Sequence, residues 1–176
     1  MKTVAVIGSP RKEGNCDILV NELVEKLEGE KDIYFLQDLD IKYCLACQKC
    51  QEGDCIANDD INEIIDEMRD ADLFIFSSPI YYGQMSAQAK TLIDRFYQVS
   101  QNPDKTLKGT KVVQIYTQAD SSNSYGDYIN SMVTMPFGYM GMEVVGTVIA
   151  RGATGKGESS QLSEAIKEIE KIAKDL

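Results

Sequence analysis

Histidine is absent from the 176 residues of this chain. With it go the commonest general base, the Ser-His-Asp and Cys-His nucleophile systems, and every histidine-containing metal site. Positive charge is also scarce. Eighteen Lys and Arg against twenty-eight Asp and Glu give a net charge of -10. Phosphate-backbone and anionic-membrane surfaces are dominated by Lys and Arg, so neither nucleic acid nor membrane is expected as a partner. Small molecules and proteins remain. Long apolar runs are missing too. Met1 to Ile7 holds one lysine and an apolar stretch that ends at Gly8-Ser9-Pro10, too short for a secretory core, and no later run approaches a spanning helix. A cytoplasmic location is expected. No repeat, low-complexity tract or linker interrupts the chain, so one domain over 1–176 is expected. At 43% hydrophobic residues a chain of this length buries roughly two thirds of its unfolded surface.

What the chain does have is an alternation of two periodicities and a group of cysteines. Val4 to Ile7, Ile33 to Leu36, Leu73 to Phe76, Val112 to Tyr116 and Val144 to Ile149 are near-continuous apolar runs, the signature of strands buried on both faces of a parallel sheet. Between them Ile61, Ile64, Ile65 and Met68 follow helical spacing behind Asn58-Asp59-Asp60. Ala89, Leu92, Ile93 and Phe96 do the same, as do Leu162, Ile166 and Ile169. Five strands alternating with about five helices predict an α/β, doubly wound, three-layer parallel sheet with right-handed crossovers. Two segments break the rhythm: residues 38–57, which hold four of the five cysteines, and a polar loop at 117–126. Ligands of open α/β sheets bind beyond the carboxyl ends of the strands, so the loops after Ile7, Ser77 and Tyr116 are the ones that matter.

The loop Gly8-Ser9-Pro10-Arg11-Lys12-Glu13-Gly14-Asn15-Cys16 is neither a dinucleotide fingerprint nor a Walker A loop. It has the parts of an anion site: small residues exposing backbone N–H groups, donors at Ser9 and Asn15, the Arg11 fork, and a helix amino terminus. A plain polar turn is the alternative. Ser77-Ser78-Pro79-Ile80-Tyr81-Tyr82-Gly83 sets two aromatics and a glycine beside it. Such residues suit a flat heteroaromatic ring that must be packed and hydrogen-bonded at its edges; otherwise Tyr81 and Tyr82 merely cover the sheet edge. Lys12 and Glu13 are expected to be solvated, and Asp94-Arg95 to be a structural pair.

Together GSPRKEGNC, SSPIYYGQMSAQAKTLIDRF and the strand–helix alternation resemble the NADPH-dependent FMN reductase family of flavodoxin-like proteins, over nearly the whole chain. The resemblance implies strand order 2-1-3-4-5 and one non-covalent FMN. By position, Ser9, Arg11, Asn15 and Cys16 would hold its phosphate, Pro79, Ile80, Tyr81, Tyr82 and Gly83 would line the isoalloxazine ring, and Thr117 would lie close by. The chain departs from the family at Cys16, where a hydroxyl residue is usual, and at Tyr82, where tryptophan is common.

Cys44, Cys47, Cys50 and Cys55 form a C-x2-C-x2-C-x4-C run. The first three spacings are those of a bacterial ferredoxin run, and four thiolates this close can wrap one small inorganic cube. A single [4Fe-4S] cluster is the economical reading. Zinc, air-formed disulfides and a cysteine loop without an intact cluster stand beside it. Cys16 lies outside the run. The run between strand two and helix two looks like that of the iron-sulfur flavoproteins. This resemblance implies a homodimer or a dimer of dimers, with the cluster of one subunit near the flavin of its neighbour. The function expected is a redox flavoenzyme in which NAD(P)H or a ferredoxin reduces FMN and the cofactors carry the chemistry. A flavodoxin-like electron carrier is the rival, and a phosphoacceptor receiver lacks the acidic cluster it needs after strand one.

Overall fold

The computed structural model describes residues 1–102, 106–122, 124–157 and 159–176; residue 123 of the polar loop expected at 117–126 falls outside it. In chain order the described elements are β1 (Lys2–Ile7), α1 (Asn15–Val24), β2 (Glu30–Phe35), α2 (Asp60–Arg69), β3 (Leu73–Tyr81), β4 (Gln84–Met85), α3 (Ala87–Arg95), α4 (Tyr97–Gln101), β5 (Lys111–Thr117), α5 (Gly126–Tyr139), β6 (Glu143–Ala150) and α6 (Ser159–Asp175). The sheet path is β2-β1-β3-β5-β6, with β4 paired to β3. The five long strands are parallel and keep the expected order. The two-residue β4 is antiparallel and was not expected from the sequence.

Alternation along the strands sorts the core into two layers. Val4, Val6, Phe74, Phe76 and Val112 face α2, α3 and α5, where Ile61, Ile64, Ile65, Met68, Leu92, Val133 and Phe137 meet them. Ala5, Ile7, Leu73, Ile75, Val113 and Ile115 face the other way, onto Leu19, Val20 and Leu23 of α1 and Leu162 and Ile169 of α6. Each large apolar side chain so buried contributes roughly 1.5–3 kcal/mol. The Phe137 ring anchors the first layer, 6.0 Å from Phe74, 5.7 Å from Phe76 and 6.2 Å from Phe96.

Two sequence expectations need correcting. The run Ile33 to Leu36, expected to be a strand buried on both faces, belongs to the edge strand β2; Ile33 is 43% exposed and Leu36 sits in the following 3-10 turn. Four apolar residues in a row say nothing about whether a strand has one neighbour or two. The segment Ser77 to Gly83, expected to be a loop, instead continues β3 as far as Tyr81. There Pro79 lies opposite Thr117 of β5, and only Tyr82 and Gly83 turn the chain into β4. Both have positive φ, 50° and 75°, as a two-residue type I′ hairpin turn requires. Among the described residues no helix is long and apolar enough to cross a membrane.

Candidate functional site

The order β2-β1-β3 puts the point where the winding direction reverses between β1 and β3, and the loops at their carboxyl ends flank a cleft of about 200 Å³. The cleft brings together Ser9, Arg11, Asn15, Cys16, Pro79, Ile80, Tyr81 and Thr117. These are eight of the ten residues expected to surround the flavin. Tyr82 and Gly83 stand outside the lining, at the hairpin tip, with Tyr82 fully exposed.

The reason the first loop takes this shape is local. Gly8 closes against α3, so near that a Cβ there would lie 2.8 Å from the Ala89 Cβ and 2.9 Å from the Ser77 carbonyl oxygen. Ser86 caps α3 by accepting from the Ala89 N–H and itself donates to the Gly8 carbonyl. Ser9 Oγ accepts from the Arg11 N–H at 3.1 Å, which tightens the turn. The amino end of α1 carries no side-chain cap, so its first N–H groups and their partial positive charge are available to an anion. Arg11, exposed on the rim, forms no ion pair among the described residues.

Other expected contributors are already committed. The Asn15 amide donates to the carbonyls of Ala153 and Gly155 and accepts from the Gly157 N–H, which leaves its backbone rather than its side chain to face a ligand. Cys16 Sγ lies 3.3 Å from Thr117 Oγ1. Burial pushes this thiol above its ordinary pKa, against the opposing hydrogen bond of Thr117. Lys12 is drawn away to Asp38 and lies over the Phe35 ring, so it does not line the cleft.

The far wall is formed by Gln118 and Ala119, in the loop marked from the sequence but not named there residue by residue, and by Ala153 to Lys156 after β6, which no sequence expectation covered. The glycine-rich run Gly152-Ala153-Thr154-Gly155-Lys156-Gly157 directly after an apolar strand was the available signal. Gln118 matters most here. It is 3% exposed, its Nε2 donates to the carbonyls of Asp120 and Ser122, and its Oε1 has no partner among the described residues. A buried acceptor left bare costs about 1–3 kcal/mol, and a ligand hydroxyl or ring N–H in the cleft would satisfy it.

The cysteine segment forms a second cavity, of about 430 Å³, lined by Cys44, Cys47, Cys50 and Cys55 together with Lys42, Arg95 and Tyr97. All five cysteines are free thiols. Cys50 is buried, Cys55 half-buried, Cys44 and Cys47 exposed. Burial raises the Cys50 pKa, and the nearby Cys55, Cys44 and Cys47 sulfurs push it the same way. Ala46 and Gln48 take positive φ, 52° and 61°, curling the backbone around the first two cysteines so that the Ala46 N–H meets Cys44 Sγ at 3.4 Å. Such consecutive turns make the concave N–H nests that favour anionic sulfur. Among the described residues no three His, Cys, Asp or Glu side chains are close enough together to hold a metal ion.

The segment is closed at its base. Asp40 N–H donates to Asp60 and Asp60 N–H to the Asp40 carbonyl, while Lys42 reaches Asp59 and the Asn58 carbonyl. Beneath the base lies Arg95, 2% exposed, at the end of α3. It grips Asp59 with both terminal nitrogens at 2.6 and 3.0 Å. Asp94 and Arg95 make structural bonds with different partners: Asp94 pairs with Lys90, one turn back.

The sequence family described as NADPH-dependent FMN reductase matches residues 1–155. An iron-sulfur flavoprotein of Archaeoglobus fulgidus is 31% identical over 181 residues, covering 96% of this chain and 80% of that protein. One of Methanocaldococcus jannaschii is 42% identical over 99 residues, covering 54% of this chain; the match spans about half, 51%, of that relative's length. Among solved structures, an FMN-dependent NADH-azoreductase of Bacillus anthracis in complex with FMN superposes with a TM-score of 0.74 at 17% identity, covering 99% of each chain. That likeness shows the same fold.

Proposed function

This chain belongs to the NADPH-dependent FMN reductase family, and on that premise we propose that it is an FMN-dependent oxidoreductase. It takes electrons from NAD(P)H or a ferredoxin and passes them to an acceptor with the help of a [4Fe-4S] cluster on Cys44, Cys47, Cys50 and Cys55. The observation that carries the reading is the cleft at the β1/β3 switch point. An uncapped helix terminus converges there with Arg11 and Gln118 Oε1, neither of which has a side-chain partner among the described residues, and these complement a phosphate at one end and a polyhydroxyl chain and ring at the other.

When bound, FMN supplies a ring that accepts hydride and releases electrons singly, and a cluster supplies a one-electron relay. The residues of the chain bind and orient. Arg11 and the α1 amides neutralise the phosphate, Gln118 Oε1 accepts from the ligand, Tyr81 walls the ring, and the Tyr82-Gly83 turn offers backbone N–H groups and a free aromatic face. Each of the four Sγ atoms gives up its proton on binding iron. No side-chain acid or base is called on, which accords with the missing histidine. Four thiols on one cavity, without disulfides, fit a cluster better than zinc, whose structural sites use two knuckles on a longer span. The exposure of Cys44 and Cys47 favours a second reading, the same flavin enzyme with its cysteine loop empty. The exposed Tyr97, Tyr125, Tyr139 and Met135 support assembly into a homodimer or homotetramer.

The test is the absorption spectrum of protein purified without oxygen, with iron and sulfide assays and NAD(P)H oxidation. Bound FMN with close to four irons per chain is expected for one [4Fe-4S] cluster. Two resolved flavin bands without iron, even after anaerobic reconstitution, would leave the flavin enzyme and remove the cluster. No FMN uptake at all would overturn the proposal.

A further inference from the structure

Arg95 does more than close an ion pair. Its terminal nitrogens donate to the Lys42 carbonyl at 3.0 Å, before the cysteine segment, and to the Ala57 carbonyl at 3.3 Å, after it. They also hold Asp59 and the Asn62 Oδ1 at 2.8 Å. One planar fork from α3 thus ties the entry and exit of the segment to the same point, and only a guanidinium offers that many donors in fixed geometry. A second tie, from Gln51 Nε2 to the Tyr97 hydroxyl at 2.9 Å, seats the middle of the segment on α4.

The remaining donor is the informative one. Among the described residues Arg95 Nε is buried and has no hydrogen-bond partner, and Arg95 lines the cysteine cavity together with the half-buried Cys55. A buried charged donor left bare is costly, so it points to a partner of negative sulfur.

We propose that Arg95 is the positioning residue of the cysteine site: it holds the two ends of the 43–56 loop together before iron arrives, and its Nε–H then hydrogen-bonds the cluster-bound Cys55 sulfur. This rests on the cluster reading above and adds the residue that tunes it. A hydrogen bond to a ligating sulfur stabilises the reduced, more negative cluster and raises its potential.

Arg95→Lys tests it, because lysine keeps a charge against Asp59 but cannot reach both loop carbonyls and has no Nε–H beside Cys55. In iron-free, FMN-loaded protein, amide exchange across 43–56 speeds up in the variant. After anaerobic reconstitution it holds iron about 10-fold less tightly against a chelator, and the midpoint potential of the remaining cluster moves down, while FMN affinity stays as in the parent. A merely structural arginine would slow folding or lower the melting temperature without moving that potential. Unchanged exchange and unchanged potential overturn the proposal. A parent protein that binds FMN but takes up no iron overturns the cluster reading instead, and the exchange measurement still reads the clamp. If Arg95→Lys does not fold, Asp59→Asn, which keeps Arg95 but loosens its grip, is read by the same two measurements with the same expectations.

Discussion

Cys16 shows how one buried atom reports on the pH range in which this fold holds. Its thiol is raised by burial more than the Thr117 hydrogen bond lowers it, so the folded chain keeps this proton after the unfolded chain has lost it near pH 8.5. The sign follows: stability from Cys16 is full below about pH 8.5 and is lost as pH rises through the folded value. Replacing Cys16 with serine, which does not titrate there, makes the fall of melting temperature between about pH 8 and 10 shallower. Thermal scans of FMN-free protein across that range check it, and an unchanged slope counts against the assignment. Seen from the sequence, Cys16 was a bystander with a place in the phosphate loop. Its handshake with Thr117, a hundred residues away, lay beyond any local pattern. The same holds for Arg95 and Gln118, whose roles depend on which backbone carbonyls and cavity they meet.

At the scale of elements, the helices with regular apolar spacing were legible because period and burial coincide. Ile61, Ile64, Ile65 and Met68 are all fully buried on α2. The turn at Tyr82-Gly83 and strand β4 were not, because the apolar run through Ile80 and Tyr81 fits strand and loop equally well and only a cross-strand partner decides. Helix α3 ties the two candidate sites into one body. Nine residues long, it spans about 13 Å at 1.5 Å per residue, with Ser86 against the first loop at one end and Arg95 under the cysteine segment at the other. Ser86→Ala removes its cap and leaves the Gly8 carbonyl without its donor, a loss of about 1–2 kcal/mol. That corresponds to roughly 2–4 °C of melting temperature per kcal/mol in a chain this size. FMN affinity falls with it, and Ser86→Thr restores most of both. Calorimetry and FMN titration read the two effects; a variant as stable and as tight as its parent would contradict the seating of α3.

For the molecule as a whole, the closed base of the cysteine segment separates two tasks. Residues 40–42 and 57–60 hold each other by their own hydrogen bonds, so replacing residues 43–56 with two glycines leaves the stem and the sheet intact. The shortened chain folds and binds FMN with the affinity of the parent but takes up no iron on reconstitution, as flavin fluorescence quenching and iron assay measure. Loss of FMN binding in that variant would show that the segment belongs to the flavin site after all.

The rims of the sheet have a consequence of their own. Edge strand β2 opens with Glu30, Lys31 and Asp32, and edge strand β6 meets β5 through an irregular register between Val112 and Val113. Charged residues and register breaks on open edges deter a further strand from templating onto them. Copies of this chain are therefore guarded against zipping into fibrils at high concentration, and whatever assembly they form is left to helix faces and loops.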